Sequence, residues 1–256
     1  MRKALVLILC FGSLNLYAQE RILKSDPPPE GQWQSGIQPL INFNYKLKKF
    51  DFNASFRIQT EIHEKLLWYD EEPQSDWGFK GGRVDLRAFV ARQYATNMKF
   101  GIGYMTRFTD NGPLQRFIQQ VTWINSLQRL SVGQRLRLEQ NIIKGWTFAS
   151  IRPRYRLSMV KSFKGENLND KEFYLKLNSE VVLKYNLRNK DPRTLRNIDE
   201  AQFRINPLIG FKRTSSNKLE FGVEYQFRKE ISEFYSGFND HRTYLVLNWY
   251  FAENSK

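Results

Sequence analysis

Apolar and polar side chains alternate at every second position along most of the chain. Between Trp33 and Leu47 the apolar residues fall at odd positions, and Gln34, Gln38 and Asn42 fall at even ones. After Lys48-Lys49 the phase reverses, and the apolar residues between Phe50 and Ile62 take the even positions. A period of two over such lengths predicts β-strands and is not produced by a helix. Segments of this kind recur as far as Phe251, so the chain is predicted to be all-β.

The length of these segments favours a membrane barrel. Many of them run for about nine residues or more, which is what a tilted strand needs to cross a bilayer. Strands of soluble sandwiches average about five or six residues. We therefore predict an antiparallel up-and-down transmembrane β-barrel. About eleven segments can be counted, but single-chain bacterial barrels have even strand numbers, so we expect about 12 strands, with 10 as the alternative.

Aromatic residues near the ends of the apolar faces agree with this prediction, because barrels carry aromatic girdles at the two membrane interfaces. The residues concerned are Trp33, Tyr45, Tyr104, Phe108, Phe173, Tyr185, Trp249 and Phe251. The alternative is a soluble periplasmic β-sandwich or lipid-binding barrel, in which the same apolar face would point inward.

The N-terminal residues have the pattern of a secretory signal. Arg2 and Lys3 precede an apolar run over residues 4–16, and Ala18 offers a small residue for cleavage. This run is too short for a comfortable membrane helix, and no second run of eighteen apolar residues occurs. We predict a signal peptide over 1–18, an extended leader over 19–32, a barrel domain over 33–251 and a tail over 252–256. The expected location is the outer membrane of a Gram-negative bacterium.

The connections between segments are of two kinds. Short ones include Lys48-Lys49, residues 95–97 and residues 214–217, whereas residues 64–82, 186–199 and 230–239 are long or polar. Barrels place short turns in the periplasm and long loops outside. If the first strand started from the periplasm, this order would be inverted, so the sequence leaves the topology open.

The polar face is strongly basic, in a chain of formal net charge +14. In a barrel this face lines the lumen. Its cations include Arg57, Arg83, Arg87, Lys99, Arg107, Arg135, Arg137, Arg152, Arg154, Arg156, Lys176, Arg204 and Arg228. Its acids are fewer: Asp51, Glu61, Asp85, Glu139, Glu180, Glu220 and Glu224.

Two interpretations of this basic lumen are open. Arginine and carboxylate ladders could fill a narrow barrel and fix its shape, or surplus arginine around a wet lumen could make it weakly permeable to anions. Arg152, Arg154 and Arg156 stand in one row with no acid between them. The residues predicted to contact an anion are Arg135, Arg137, Arg152, Arg154, Arg156 and Arg204.

Catalytic and metal-binding patterns are weak. Lipid-modifying barrel enzymes use a serine activated by a histidine, but neither His63 nor His241 has a serine two residues later. A triad could be drawn from Asp240, His241 and Thr243. The alternation argues against it, because it points His241 away from the lumen. The acidic stretch Asp70-Glu71-Glu72 with Asp76 lacks calcium-loop spacing. We therefore expect no enzyme activity, no cofactor and no metal site.

Several segments resemble one bacterial family of outer-membrane barrels, the domain of unknown function 2490 family. The resemblance is carried by RLRLEQ from Arg135, IRPRYRL from Ile151, DEAQFRINPLIGFK from Asp199, KLEFGVEYQF from Lys218 and HRTYLVLNWYF from His241. It extends over nearly all of the chain after the signal. The resemblance implies a barrel fold and export. It supplies no activity and no catalytic residues that could be transferred to this chain.

The expected partners follow from charge and location. A basic exported protein should meet outer-membrane lipid, the phosphates of lipopolysaccharide and small anionic solutes, whereas export argues against nucleic acid. The barrel-assembly machinery is a further expected partner. The tail after Phe251 is unusual, because many barrels end on a terminal aromatic residue.

Overall fold

A computed structural model describes residues 31–67, 74–109, 112–143, 147–163, 168–186, 198–231 and 239–254. They form eleven strands: β1 (Gly31–Leu47), β2 (Phe50–Leu67), β3 (Gln74–Ala95), β4 (Met98–Thr109), β5 (Gly112–Leu127), β6 (Leu130–Ile143), β7 (Thr147–Ser162), β8 (Glu172–Asn186), β9 (Ile198–Thr214), β10 (Asn217–Glu230) and β11 (Asn239–Asn254). The all-β prediction is confirmed. The predicted signal peptide lies outside the described residues, and β1 begins at Gly31, within the predicted leader.

The eleven strands form one closed barrel in which strands adjacent in sequence pair with each other and β1 pairs with β11. Consecutive strands pair antiparallel, whereas β1 and β11 pair in parallel, with Gly31 opposite Asn239 and Lys46 opposite Asn254. Strands that alternate in direction leave the first and the eleventh running the same way, so this closure must be parallel. The predicted barrel architecture of about twelve strands is confirmed. Among the described strands, only the β1–β11 pair departs from antiparallel pairing.

Most of the two-residue turns lie at one end of the barrel. β1 begins at the end that carries the β2–β3, β8–β9 and β10–β11 connections. Four two-residue turns, at 48–49, 96–97, 128–129 and 215–216, therefore all lie at the opposite end. Lys48 and Gln128 adopt positive φ angles of 51° and 45° in two of these turns, a conformation that tight turns require. Part of the predicted 64–82 connection is strand, because β2 continues to Leu67 and β3 starts at Gln74.

The barrel is apolar outside and polar inside. Among the described residues, 24 buried side chains are polar or charged and only ten are hydrophobic. Large apolar side chains lie exposed on the outer surface, and five of the predicted girdle residues are among them: Trp33, Tyr45, Phe108, Phe173 and Trp249. This is the reverse of a soluble β-sandwich, whose apolar faces pack against each other. No helix in the described ranges is long and apolar enough to cross a membrane.

Two inward aromatic rings lie flat over glycines on the next strand. A Cβ at Gly103 would come within 2.4 Å of the Phe89 ring, and a Cβ at Gly101 within 2.5 Å of it. On the other side of the barrel, a Cβ at Gly210 would stand 2.1 Å from Cζ of Tyr174. Glycine is required at these positions because the ring occupies the space of a side chain. These rings form part of the inner layer that shapes the lumen.

Candidate functional site

The lumen contains a cavity of about 480 Å³ that is lined mainly by polar side chains. Alternation places every second residue of most strands on this inner face. The charged residues of its lining are Asp51, Arg57, Asp85, Arg87, Arg107, Arg135, Arg137, Glu139, Arg154, Arg156, Lys176, Glu180, Arg204 and Glu224. Nine cations thus face five carboxylates, so the cavity has an excess of positive charge.

One wall of the cavity, formed by β6, β7 and β8, carries a continuous ladder of ion pairs. Arg154 on β7 lies at its centre and donates through Nη1 to Oε1 of Glu139 on β6 and through Nη2 to Oε2 of Glu180 on β8. Both carboxylates are almost completely buried, with 1% and 2% of their surface exposed. Such charge-assisted bonds are the strong class of hydrogen bond, so Arg154 joins three strands.

Glu180 is shared by further arginines. Nη2 of Arg135 and Nε of Arg156 each donate to its Oε1 at 3.0 Å. Nη1 of Arg204 on β9 lies 3.7 Å from its Oε2. A carboxylate this deeply buried is stable only when its charge is paired and hydrogen-bonded, and the surrounding guanidinium groups meet that need.

Glu139 has a similar but smaller set of partners. Nη1 of Arg116 on β5 donates to its Oε2 at 2.9 Å, and Nη1 of Arg137 lies 3.5 Å from its Oε1. Arg137 also donates to Gln120 through Nε and Nη2, at 2.9 and 2.6 Å. The ladder therefore extends from β5 to β9.

The structure brings all six predicted anion-contact residues into this region, and each already has a carboxylate nearby. Arg135, Arg137, Arg154, Arg156 and Arg204 contact Glu139 or Glu180 as described. Arg152 lies 3.8 Å from Glu200 on β9. The row on β7 has no acid along the strand, but acids stand across from it on neighbouring strands. Two members of the network, Arg116 and Glu200, were missing from the predicted polar face.

The opposite wall, formed by β2, β3 and β4, has a different arrangement. One of its carboxylates, Asp85, is held by Arg107, whose Nε and Nη2 donate to the two oxygens at 2.6 and 2.8 Å, and another, Asp51, pairs with Lys99. Arg57, Arg83 and Arg87 form no ion pair or side-chain hydrogen bond within the described part of the chain. The Nε atoms of Arg83 and Arg87 are buried without an acceptor. This wall therefore holds guanidinium groups that no carboxylate neutralises by contact.

The strand register explains why these arginines lack partners. Arg87 stands opposite Ser55 on β2 and Met105 on β4. Arg57 stands opposite Asp85, whose oxygens bind Arg107, and opposite Leu40 on β1. Directly opposite residues are the ones close enough to pair in an antiparallel sheet, and here they offer no free carboxylate.

An apolar strip adjoins these arginines. Leu40, Phe89, Met105 and Val246 line the same cavity, and Leu40 and Met105 are buried. Apolar side chains are unusual in an otherwise polar lumen, because contact between apolar surface and water is unfavourable. The cavity therefore has a charged side and an apolar side.

Two further clusters of charge lie nearer the barrel ends and are well partnered. Glu220 accepts hydrogen bonds from Tyr174 at 2.8 Å, from Lys176 at 2.8 and 3.0 Å, from Asn248 at 3.3 Å and from Tyr250 at 3.1 Å. Towards the opposite end, Asp240 binds two arginines. Its Oδ2 lies 2.9 Å from Arg228 and 2.6 Å from Arg242. These clusters brace adjacent strands.

The potential triad residues do not assemble. Asp240 points inward and is fully buried, whereas the ring of His241 stacks on Trp33 on the outer face with centroids 4.4 Å apart. The Oη of Tyr225 lies 2.8 Å from Nδ1 of His241. The alternation of the strand thus separates the two groups onto opposite faces.

The described residues contain no group of three or more histidine, cysteine, aspartate or glutamate side chains placed to hold a metal ion. The acidic stretch Asp70 to Glu72 lies outside the described residues, as does the side chain of Asp76.

Two of the comparisons with known proteins gave a match. A family model described as a protein of unknown function, DUF2490, matches residues 39–235. The chain belongs to this family. The search of curated proteins gives no match. Among solved structures, a crystal structure of the NanC porin is similar over 84% of this chain and 98% of the porin chain, with 11% sequence identity and a TM-score of 0.40.

Proposed function

We propose that this DUF2490 protein is an outer-membrane β-barrel whose lumen admits small anionic solutes. The membrane location is supported by the outer surface, where aromatic and aliphatic side chains such as Phe43, Phe221 and Leu245 are about half exposed, at 53%, 55% and 50%. An apolar surface of this extent marks contact with lipid or another apolar partner. The signal pattern at the N-terminus agrees with export.

Membrane insertion is tested by fractionation of cells that produce the full chain. The protein should remain in the membrane fraction after washing with high salt and should need detergent for extraction. The folded barrel should migrate differently before and after heating in detergent. Extraction by salt alone would contradict the proposal and favour a soluble periplasmic protein.

Anion preference rests on one observation, the unneutralised arginines of the β2–β4 wall that face the cavity. Arg57 and Arg87 both line it and neither is ion-paired within the described ranges. Fixed positive charge around a wet passage raises the local concentration of anions and lowers that of cations. The six ladder arginines that share Glu139 and Glu180 each already contact a carboxylate, so they are less available to a passing anion.

Conductance measurements test permeation directly. Purified barrel in planar bilayers should give discrete current steps, and the reversal potential in a salt gradient should have the sign of anion preference. The preference should weaken as ionic strength rises, because salt screens the arginines. A reversal potential of cation sign would contradict the proposal.

A second candidate is a closed structural barrel, and the saturated β5–β9 ladder favours it. Long side chains tied into ion pairs can fill a barrel of this size. Bilayers that stay silent at high protein load, with protein shown to be folded and inserted, would select this candidate. The absence of an assembled nucleophile and base in the described residues gives no support to an enzymatic role.

A further inference from the structure

The cavity places unneutralised charge beside apolar surface. Arg57 is paired in register with Leu40, and Arg87 with Met105. The ring of Phe89 lies two residues along β3 from Arg87 and on the same inner face. All five residues line the one cavity. A solute in contact with the two guanidinium groups would therefore also contact an apolar strip.

The electrostatic surroundings of Arg87 are repulsive. Its charged surroundings include four arginines that line the same cavity, namely Arg57, Arg135, Arg154 and Arg156. Three of these belong to the ladder on the far wall, so Arg87 faces positive charge across the lumen. The cavity lining as a whole has nine cations and five carboxylates, and a surplus of one sign in a confined space attracts a counter-ion. An anion between Arg57 and Arg87 would relieve this repulsion.

We propose that Arg57 and Arg87 bind the oxyanion group of a small amphiphilic solute, whose apolar part packs against Leu40, Met105 and Phe89. The proposal rests on the proposed function only for the entry of the solute into the lumen. The head group is a carboxylate or a phosphate, because both match the planar fork of arginine. Volumes of about 300–1,000 Å³ are usual for small-molecule sites, and the cavity of about 480 Å³ falls in this range.

The ladder is a poorer site for the same group. Arg154 already contacts two carboxylates, and Arg135 and Arg156 share Glu180. A solute would have to displace an internal carboxylate that is then left buried without a partner, which is costly. Arg57 and Arg87 have no such bond to lose.

Binding is tested by calorimetry on the folded full chain in detergent, with micelles alone as the reference. The probes are benzoate, acetate and inorganic phosphate as anions and benzylamine as an apolar cation. Benzoate should bind about tenfold or more tightly than acetate, because its ring removes apolar surface from water. Benzylamine should not bind. Acetate and phosphate then distinguish the two kinds of head group.

The variant Arg57→Gln/Arg87→Gln should weaken benzoate binding by about tenfold or more, the usual effect of losing charge-assisted hydrogen bonds. Arg83→Gln is the matched control, since Arg83 also lacks an ion pair within the described residues but does not line the cavity. It should leave binding unchanged. Met105→Gln should weaken benzoate binding while leaving acetate binding unchanged. Heat-modifiable mobility shows which variants are folded.

The site and the permeation proposal fail separately. If the bilayers stay silent while benzoate binding still depends on Arg57 and Arg87, the site is supported and only the permeation proposal is excluded. Equal benzoate affinity in folded wild-type and double-variant protein would overturn the site, whatever the conductance. Equal affinities for benzoate and acetate would overturn the apolar part of the proposal.

Discussion

The two facing walls of the lumen present the same residue type in the same alternating pattern, yet they differ in how their arginines are paired. On the β6–β8 wall, Arg154 bonds to Glu139 and Glu180. On the β2–β4 wall, Arg107 donates to both oxygens of Asp85. The residues opposite Arg87 are Ser55 and Met105, which carry no charge. An arginine in the lumen thus braces the barrel or stays available to a solute according to its neighbours in register.

On the binding proposal, the β6–β8 wall stabilises the barrel and the β2–β4 wall binds the solute. Paired buried charges resist rearrangement, because removing one partner leaves the other uncompensated. Unpaired arginines contribute little to stability and oppose one another electrostatically. If this division is correct, matched substitutions on the two walls should have different effects.

The largest effect is expected for Glu180→Gln. This change removes the carboxylate shared by Arg135, Arg154 and Arg156, with Arg204 nearby, and leaves their charges buried together. Loss of one partner from a buried ion pair costs about 3–5 kcal/mol, and we expect a value near about 5 kcal/mol here. Denaturant unfolding of the refolded barrel, followed by tryptophan fluorescence, measures it.

Glu253→Gln serves as the control for Glu180→Gln, because Glu253 is exposed at the end of β11. It should leave the unfolding midpoint unchanged. A midpoint for Glu180→Gln equal to that of the control would show that the ladder does not brace the barrel.

The second prediction compares one substitution on both walls. Arg154→Gln should lower the free energy of unfolding by about 3 kcal/mol, the lower end of the range, because Glu139 and Glu180 keep other arginine partners. Arg87→Gln should leave it within about 1 kcal/mol of wild type or raise it, since the change relieves repulsion. Unfolding curves of the two variants, recorded side by side, test the contrast. Equal losses would remove the distinction between the walls.

The fold was largely predictable from the sequence, because alternation with a period of two fixes which side chains face the lumen. Trp33, Ile37 and Ile41 point outward and Gln34 and Gln38 inward, as predicted. The parity of the strands was not predictable in this way. It depends on the pairing of β1 with β11, which join residues about 200 positions apart, and alternation within one strand carries no information on such pairing.

The site was predictable only in part. The row Arg152, Arg154 and Arg156 was predicted to contact an anion because no acid interrupts it, yet Glu139 and Glu180 lie across from it on other strands. The register that brings them together is set by turns and by packing between strands. For the same reason the open position of Arg57 and Arg87 could not be read from the sequence. Both were in the predicted basic face, but nothing there separated them from the paired arginines.

The third prediction concerns the inner packing of each wall. Gly103→Ala on β4 would place a Cβ 2.4 Å from the Phe89 ring and 2.8 Å from the carbonyl oxygen of Ala88. Overpacking of this kind costs about 1–3 kcal/mol. Gly133→Ala on β6 is the matched substitution, because its nearest atoms would be 3.8–3.9 Å away. It should be neutral, and the same unfolding assay compares the two. Equal effects would show that the Phe89 ring can move aside.

The smallest effect on stability, and the sharpest on binding, is expected for Ser55→Glu. Ser55 stands opposite Arg87, so a carboxylate there would supply the partner that the β2–β4 wall lacks. Ser55 is buried but lines the cavity, so the cost of desolvating the new carboxylate should roughly cancel its attraction to Arg87. The unfolding free energy should therefore change by no more than about 1 kcal/mol. Benzoate binding and anion preference in bilayers should both fall, because Arg87 is then neutralised. Ser55→Gln introduces a side chain as long as glutamate but without its charge, so benzoate binding and anion preference should both be retained. If Ser55→Glu left them intact, charge at Arg87 would not control the lumen, and the difference between the walls would be structural alone.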